Sequence, residues 1–174
     1  ILTITHEDTV GKGRPLPNAK WAGIIEEASV TPEGNGTRFF ARIGQITTPE
    51  GQGEYTNGGD AAPYRIGNRK VFVREWTDHQ SAQAAEIGQR RLKQIAMATG
   101  LVPKPAKGET VEVPFESYEE FASAVVGRKV IFTSKQVGRK TKQVNEAGVE
   151  VLVPKLDADG EAVIDVEVAA YHTA

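Results

Sequence analysis

Two stretches of this chain repeat with a period of two, and that repeat constrains the fold more than any other feature. In Thr37 to Thr48, Phe39, Ala41 and Ile43 alternate with Phe40, Arg42 and Gly44; in Arg69 to Trp76, Val71, Val73 and Glu75 alternate with Lys70, Phe72, Arg74 and Trp76. Successive side chains of a strand point to opposite faces, so each stretch predicts one face for a core and one of different chemistry. The set Lys70, Phe72, Arg74 and Trp76 is the unusual one, because it puts cations and aromatic rings side by side.

The remaining segments fit around these strands. Ala19 to Thr31 is strand-compatible and closes on Pro32-Glu33-Gly34-Asn35-Gly36, a turn signal that sends Thr37 to Thr48 back as a return strand. Pro49 to Asn68 reads as a Gly-rich loop holding Tyr55, Asn57-Gly58-Gly59 and Tyr64, longer than a compact domain carries without a functional reason. Asp78 or Ser81 caps a helix running to about Thr99, with Ala85, Gly88, Leu92, Ile95, Ala96 and Thr99 as its apolar stripe and Gly100 as its stop. Arg90, Arg91 and Lys93 fall on or beside its outer surface. A linker, Leu101 to Val113, leads to Ser117-Tyr118-Glu119-Glu120, a capping box for a short helix that turns Tyr118, Phe121, Ala122 and Val125 to the core and ends at Gly127. Arg128 to Val137 alternates again, Val130, Phe132 and Ser134 against Lys129, Ile131, Thr133 and Lys135, which assigns Phe132 to the core. Gly138 to Lys142 reads as a basic hairpin tip, and Val149 to Pro154 with Glu161 to Tyr171 as a last hairpin around Asp157-Ala158-Asp159-Gly160.

Three strands, a helix, a short helix and three strands predict a fold that is mainly β with α: an OB-fold-like, small, partly open β-barrel with one main helix and one short helix. An α+β sandwich is the alternative. Residues 1–17 are expected to form a flexible N-terminal arm and 18–174 a single OB-like domain, in keeping with a length of 174 residues.

Charge is segregated along the chain. Of 21 basic residues 15 lie between Pro63 and Lys142, against 8 acidic ones, whereas residues 143–174 hold 1 basic and 7 acidic residues. A basic, aromatic middle points to a polyanion, since phosphates attract Lys and Arg while every base offers a π-face for stacking. With no cysteine there is neither disulfide framework nor thiolate metal site, which favours a reducing cytoplasm. The longest apolar runs, such as Val149 to Pro154, fall far below the roughly 20 residues of a membrane span, so no membrane partner is expected.

Catalytic constellations are lacking. His6, His79 and His172 are widely separated; Asp157-x-Asp159-x-Glu161 has its glycine at the fourth position of a would-be calcium loop rather than the sixth; Gly11-Lys12-Gly13 lacks the spacing of a phosphate loop; and no Gly-x-Ser-x-Gly occurs. Glu26-Glu27 and Glu119-Glu120 are adjacent pairs that a strand or helix would aim apart. The chain reads as a non-enzyme without metal or cofactor.

The succession Pro15-Leu16-Pro17, then AGIIEEASVTPEGNGTRFFARI, GNRKVFVREW, AAEIGQRRLKQIAMATGL, VVGRKVIFTSKQ and a late VEVAAY strand resembles a phage-encoded single-stranded DNA-binding protein family, over roughly Pro15 to Tyr171. The resemblance implies an OB-like barrel, sequence-tolerant binding of single-stranded DNA, no cofactor, and work in the cytoplasm of the infected host cell beside replication or recombination proteins. The sequence departs from the family pattern in its longer Pro49 to Asn68 insertion and its Pro103 to Pro114 linker.

On the residues themselves, Phe40 and Arg42, with Lys70, Phe72, Arg74 and Trp76 on a neighbouring strand and Lys129, Lys135, Arg139, Lys140 and Lys142 on and beyond another, are the candidate nucleic-acid-binding set. Two assignments stay open for Phe40, Phe72 and Trp76: stacking platforms on the surface, or core residues with Phe39, Val71 and Val73 turned outward. Two other functions also remain: a phage structural or decoration protein, and an adaptor or inhibitor acting through the acidic region Glu146 to Glu167. That acidic region could also dock on the basic middle of a second copy, giving a homodimer.

Overall fold

The computed structural model describes residue 2, residues 15–56 and residues 64–173. Its elements in chain order are β1 (Lys20–Glu33), β2 (Gly36–Thr47), the two-residue strands β3 (Glu54–Tyr55) and β4 (Tyr64–Arg65), β5 (Val71–His79), helices α1 (Ala82–Ala98) and α2 (Tyr118–Val125), then β6 (Lys129–Gly138), β7 (Lys140–Val144), β8 (Glu150–Pro154) and β9 (Ile164–His172). The fold is mainly β, a small open five-stranded antiparallel sheet in the order β5-β2-β1-β6-β9 with two helices. β1 is the pivot. Its first residues, Lys20 to Ile24, pair with β6, while Ala22 to Glu33 pair with β2 through two register shifts, at Ala22/Ile24 and Ile25/Glu27. Irregularities of this kind bend a strand and raise its twist. They curl the sheet until its edge strands β5 and β9 approach each other without pairing, which is compatible with an OB-like barrel left open at one seam.

Binary patterning explains which side is the core. Trp21, Phe39, Phe132, Ile43, Val71 and Val130 point inward and are fully buried, so the alternation of β2, β5 and β6 holds as the sequence predicts, with Phe132 in the core. Helix α1 closes one end of the curled sheet with Leu92, Ile95 and Ala96. Ser81 is its cap, the Oγ accepting the Ala84 N–H at 3.3 Å. Gly88 lies where α1 crosses β5, and a Cβ there would collide with the Trp76 backbone carbonyl; the helix approaches the strand this closely only because no side chain stands between them. In α2 the Ser117 Oγ accepts the Glu120 N–H at 3.1 Å, while the Glu120 carboxylate accepts the Glu116 N–H at 3.0 Å, one residue before the cap. Phe121, Ala122 and Val125 are buried as expected, but Tyr118, in the first turn, is exposed at the rim of a cavity between α1 and α2.

Three sequence expectations need correcting. The expected arm of residues 1–17 does not extend to Pro17: Leu16 is 2% exposed, the Gln136 amide donates to its carbonyl at 2.9 Å, and Ser134 Oγ donates to the Pro17 carbonyl at 2.8 Å. Residues 3–14, with His6 and Gly11-Lys12-Gly13, lie outside the described residues, as do Asn57-Gly58-Gly59 in the expected long loop. The basic segment Gly138 to Lys142 is not a hairpin tip, because Lys140–Val144 is itself a strand and the tip is Asn145 to Gly148. Asn145 Oδ1 accepts the N–H groups of Ala147 and Val149, both at 3.0 Å, and Gly148 takes φ +76°, so this turn closes the hairpin. Val149 to Pro154 therefore pairs backward with β7, and Ile164–His172 returns to the main sheet beside β6. Only the bridge Leu156 to Ala162 flanks the Asp157 to Gly160 turn.

Ser134 ties the start of the domain to the core. Buried beside Trp21, its hydroxyl accepts the indole N–H at 2.7 Å and donates to the Pro17 carbonyl. Ser134→Ala would orphan both groups in a dry site and is expected to cost about 1–3 kcal/mol. Chemical denaturation checks this; a change below experimental error would show that neither group depends on the hydroxyl.

Candidate nucleic-acid interface

The outward face of β2 and β5 carries three cross-strand pairs, each an arginine beside an aromatic ring. The register sets Arg38 opposite Trp76, Phe40 opposite Arg74, and Arg42 opposite Phe72. Ring and cation swap strands at each step, so the face is a checkerboard. It arises because β2 reads Arg-x-Phe-x-Arg and β5 reads Phe-x-Arg-x-Trp on their outward positions, and antiparallel pairing superposes the two. The register is regular from Arg42 to Arg38, and its one shift, between Thr37 and Arg38, falls just beyond the Arg38–Trp76 pair. The Arg38 guanidinium lies 4.0 Å from the centre of the Trp76 ring and that of Arg74 5.5 Å from the Phe40 ring, both within cation–π range. Of the two assignments open for the aromatics, the outward one holds: Phe72 is 63% exposed and Phe40 and Trp76 are half-buried, while Phe39, Val71 and Val73 are core.

Acidic side chains engage some of these cations. Glu26 meets Lys70 Nζ at 2.5 Å and Arg42 Nε at 3.5 Å, and Glu27 meets Arg42 Nη1 at 3.2 Å. The hydrogen bond from Lys70, with the charges of Lys70 and Arg42, holds the Glu26 carboxyl below the usual carboxylate range, so it stays ionised at neutral pH. Arg38 lies 3.8 Å from Glu33. Among the described residues Arg74, at the centre of the checkerboard, forms no ion pair.

The face continues into a groove of about 880 Å³ that runs along the open seam between β5 and β9. Its walls bring Lys70, Phe72 and Arg74 together with Lys135 and Arg139 from the far side. Six cationic side chains line it against three acidic ones, Glu75, Asp165 and Glu167. Arg139 holds Asp165 in a two-point ion pair, Nε to Oδ2 at 2.9 Å and Nη2 to Oδ1 at 2.5 Å, and this keeps the Asp165 carboxyl below its ordinary range.

At the floor of the seam stands Arg91, which the sequence places only on or beside the outer surface of α1. Its Nε donates to Glu75 at 3.2 Å, its Nη2 to the Val168 carbonyl at 2.5 Å and its Nη1 to the Ala169 carbonyl at 3.0 Å, joining the two edge strands through one guanidinium. Its Cζ also lies 4.9 Å from the centre of the Tyr171 ring. Burial raises the Glu75 carboxyl above its usual range despite Arg91, and burial likewise raises the Tyr171 phenol.

Eight of the eleven candidate residues thus converge: Phe40, Arg42, Lys70, Phe72, Arg74 and Trp76 on or beside the checkerboard, and Lys135 and Arg139 across the groove. Lys129, Lys140 and Lys142 do not line the groove. Lys129 stands opposite Ile24, six residues or about 20 Å along β6 from Lys135. Lys140 and Lys142 sit on the separate β7–β8 hairpin, opposite Pro154 and Leu152. Arg38 belongs to the site although the sequence reading stops at Phe40; it lies two residues earlier in the same alternation, and that was the signal. His79 Nδ1 accepts the Ser81 N–H at 2.8 Å, and His172 Nε2 lies 2.7 Å from Thr133 Oγ1, so both are engaged in structural contacts. Among the described residues no group of three or more His, Asp or Glu gathers as a metal site would require, and no helix is long and apolar enough to cross a membrane. Comparison with protein-family models gives no match, and none of the curated proteins is significantly similar to the chain.

Proposed function

We propose that this chain is a non-enzymatic, largely sequence-independent single-stranded DNA-binding protein and, following its resemblance, that it serves phage DNA replication and recombination. The observation that carries the reading is the checkerboard of Arg38·Trp76, Phe40·Arg74 and Arg42·Phe72. Each pair offers one cation for a phosphate and one ring for a base, which is the combination that sequence-tolerant single-strand binding uses. Successive pairs lie two residues apart, a step of about 6.7 Å, roughly twice the 3.4 Å spacing of one strand in a duplex. A stretched single strand with unstacked bases matches that step; a duplex, with its bases already stacked on each other, does not. The groove cations Lys135 and Arg139 extend the positive path beyond the rings.

Arg74 is the most informative residue to remove, because among the described residues it forms no ion pair, and Asp165, the carboxylate that feels its charge, is already held by Arg139. Arg74→Ala is expected to weaken binding of an oligothymidylate and to reduce the slope of log K against log salt by about 0.7, the contribution of one phosphate contact on a single strand. Lys142→Ala, on the separate β7–β8 hairpin, leaves the slope unchanged. Equal slopes for wild type and Arg74→Ala would remove the checkerboard from the interface.

A further inference from the structure

We propose that the β7–β8 hairpin is a self-association surface, which docks antiparallel, about a two-fold axis, on the same hairpin of a second copy of this chain. The hairpin forms a two-stranded sheet of its own, separate from the five-stranded one. Such a unit is marginally stable in water unless its apolar face is covered. Here Val151 and Val153 on one face are half-buried, while the other face, with an apolar centre between charged ends, is uncovered. Lys140, Lys142 and Val144 share it with their register partners Pro154, Leu152 and Glu150, and all six are exposed. Val144 and Leu152 are each 65% exposed, and Val149 at the tip and Leu156 at the base are exposed as well.

The charges on the hairpin select the occupant. Its base carries Lys140 and Lys142, and its tip end carries Glu146 and Glu150. Two cations balanced by two anions do not make a surface for a polyanion or an anionic membrane. They do make one that complements itself: in a two-fold antiparallel arrangement the basic end of each copy meets the acidic end of the other, with Val144 and Leu152 closing in the middle. The existing Lys142–Glu150 pair, 3.2 Å long and with both side chains largely exposed, is worth little where it stands and can be exchanged for a partner's charge at small cost. The surface lies outside the groove, so the inference does not depend on nucleic-acid binding.

Sedimentation velocity of the full chain without nucleic acid tests it, with two charge-reversed variants, Lys140→Glu/Lys142→Glu and Glu146→Lys/Glu150→Lys. All four positions are exposed, and thermal unfolding checks that each variant folds. Wild type is expected to dimerise reversibly, and each variant alone at least about tenfold more weakly, since like charges then face each other. An equimolar mixture of the two variants is expected to recover a 1:1 dimer, because an all-acidic hairpin then meets an all-basic one. Three results would each overturn the proposal: a wild type that stays monomeric, a reversed variant that dimerises as the wild type does, or a mixture that remains monomeric.

Discussion

Replacing Phe72 and Trp76 together with alanine is expected to lower affinity for a single-stranded oligonucleotide by about 30-fold to 10⁴-fold, from about 1–3 kcal/mol of base stacking at each ring. The loss is expected in binding and not in folding, because both rings stand on the outward face and the core beneath them is built from Phe39, Val71 and Val73. The two positions also differ in the free protein. Phe72 is open, whereas the Trp76 ring has the Arg38 guanidinium over it and His79 packed edge-on with ring centres 4.5 Å apart. A base reaching Trp76 must displace Arg38, which is then free to meet the adjacent phosphate. Equilibrium binding of the double variant, with thermal unfolding as the control, checks the prediction; an unchanged affinity would make these rings ordinary surface residues.

The second large effect is on stability. Arg91→Met keeps the length and apolar stem of the side chain but removes the guanidinium that spans the seam, leaving a half-buried Glu75 and two carbonyls of β9 without their donor. The expected cost is about 3 kcal/mol, the low end for breaking a buried pair because both side chains keep some exposure, or about 6–12 °C in melting temperature for a chain of this size. Its pH dependence has a definite sign. Burial raises the Glu75 carboxyl in the folded state, so the folded protein holds that proton more tightly than the unfolded chain, and the group's contribution to stability falls as pH rises from the unfolded value through the folded one. Without Arg91 the folded value rises further. The deficit of Arg91→Met relative to wild type is therefore largest at neutral pH and shrinks as Glu75 protonates in acid. Urea denaturation at several pH values measures it, and a deficit independent of pH would mean that Glu75 is not the group left stranded.

What could be read in the sequence follows the range of the interactions involved. Alternation is local, so the division of β2, β5 and β6 into two faces, the burial of Phe132 and the helix cap at Ser117 could be read along the chain, whereas which face of β2 and β5 turns inward, and whether Asp78 or Ser81 caps α1, took the fold to decide. Pairing is not local. Two equally good turn signals, Asn145 to Gly148 and Asp157 to Gly160, flank β8, and both turns form; only the whole sheet decides that β8 pairs with β7 while β9 leaves to join β6. The site divides the same way. Aromatic and cationic residues could be assigned to faces of single strands, but their interlocking into Arg–aromatic pairs depends on the β2–β5 register. Arg91 was beyond reach, since its acceptors Val168 and Ala169 lie 77 and 78 positions away in the chain. Glu26, adjacent to Glu27 in sequence, gave no sign that the fold would set it against Lys70.

The most direct measurement is the fluorescence anisotropy of a labelled oligothymidylate titrated with the full chain at two salt concentrations, with duplex DNA and single-stranded RNA of the same length as competitors. The expected result is binding that weakens with salt, that duplex fails to displace, and that DNA holds at least as well as RNA. Absence of binding at low salt, or displacement by duplex as effective as by single strand, would contradict the central claim that the β2–β5 checkerboard is a single-strand interface.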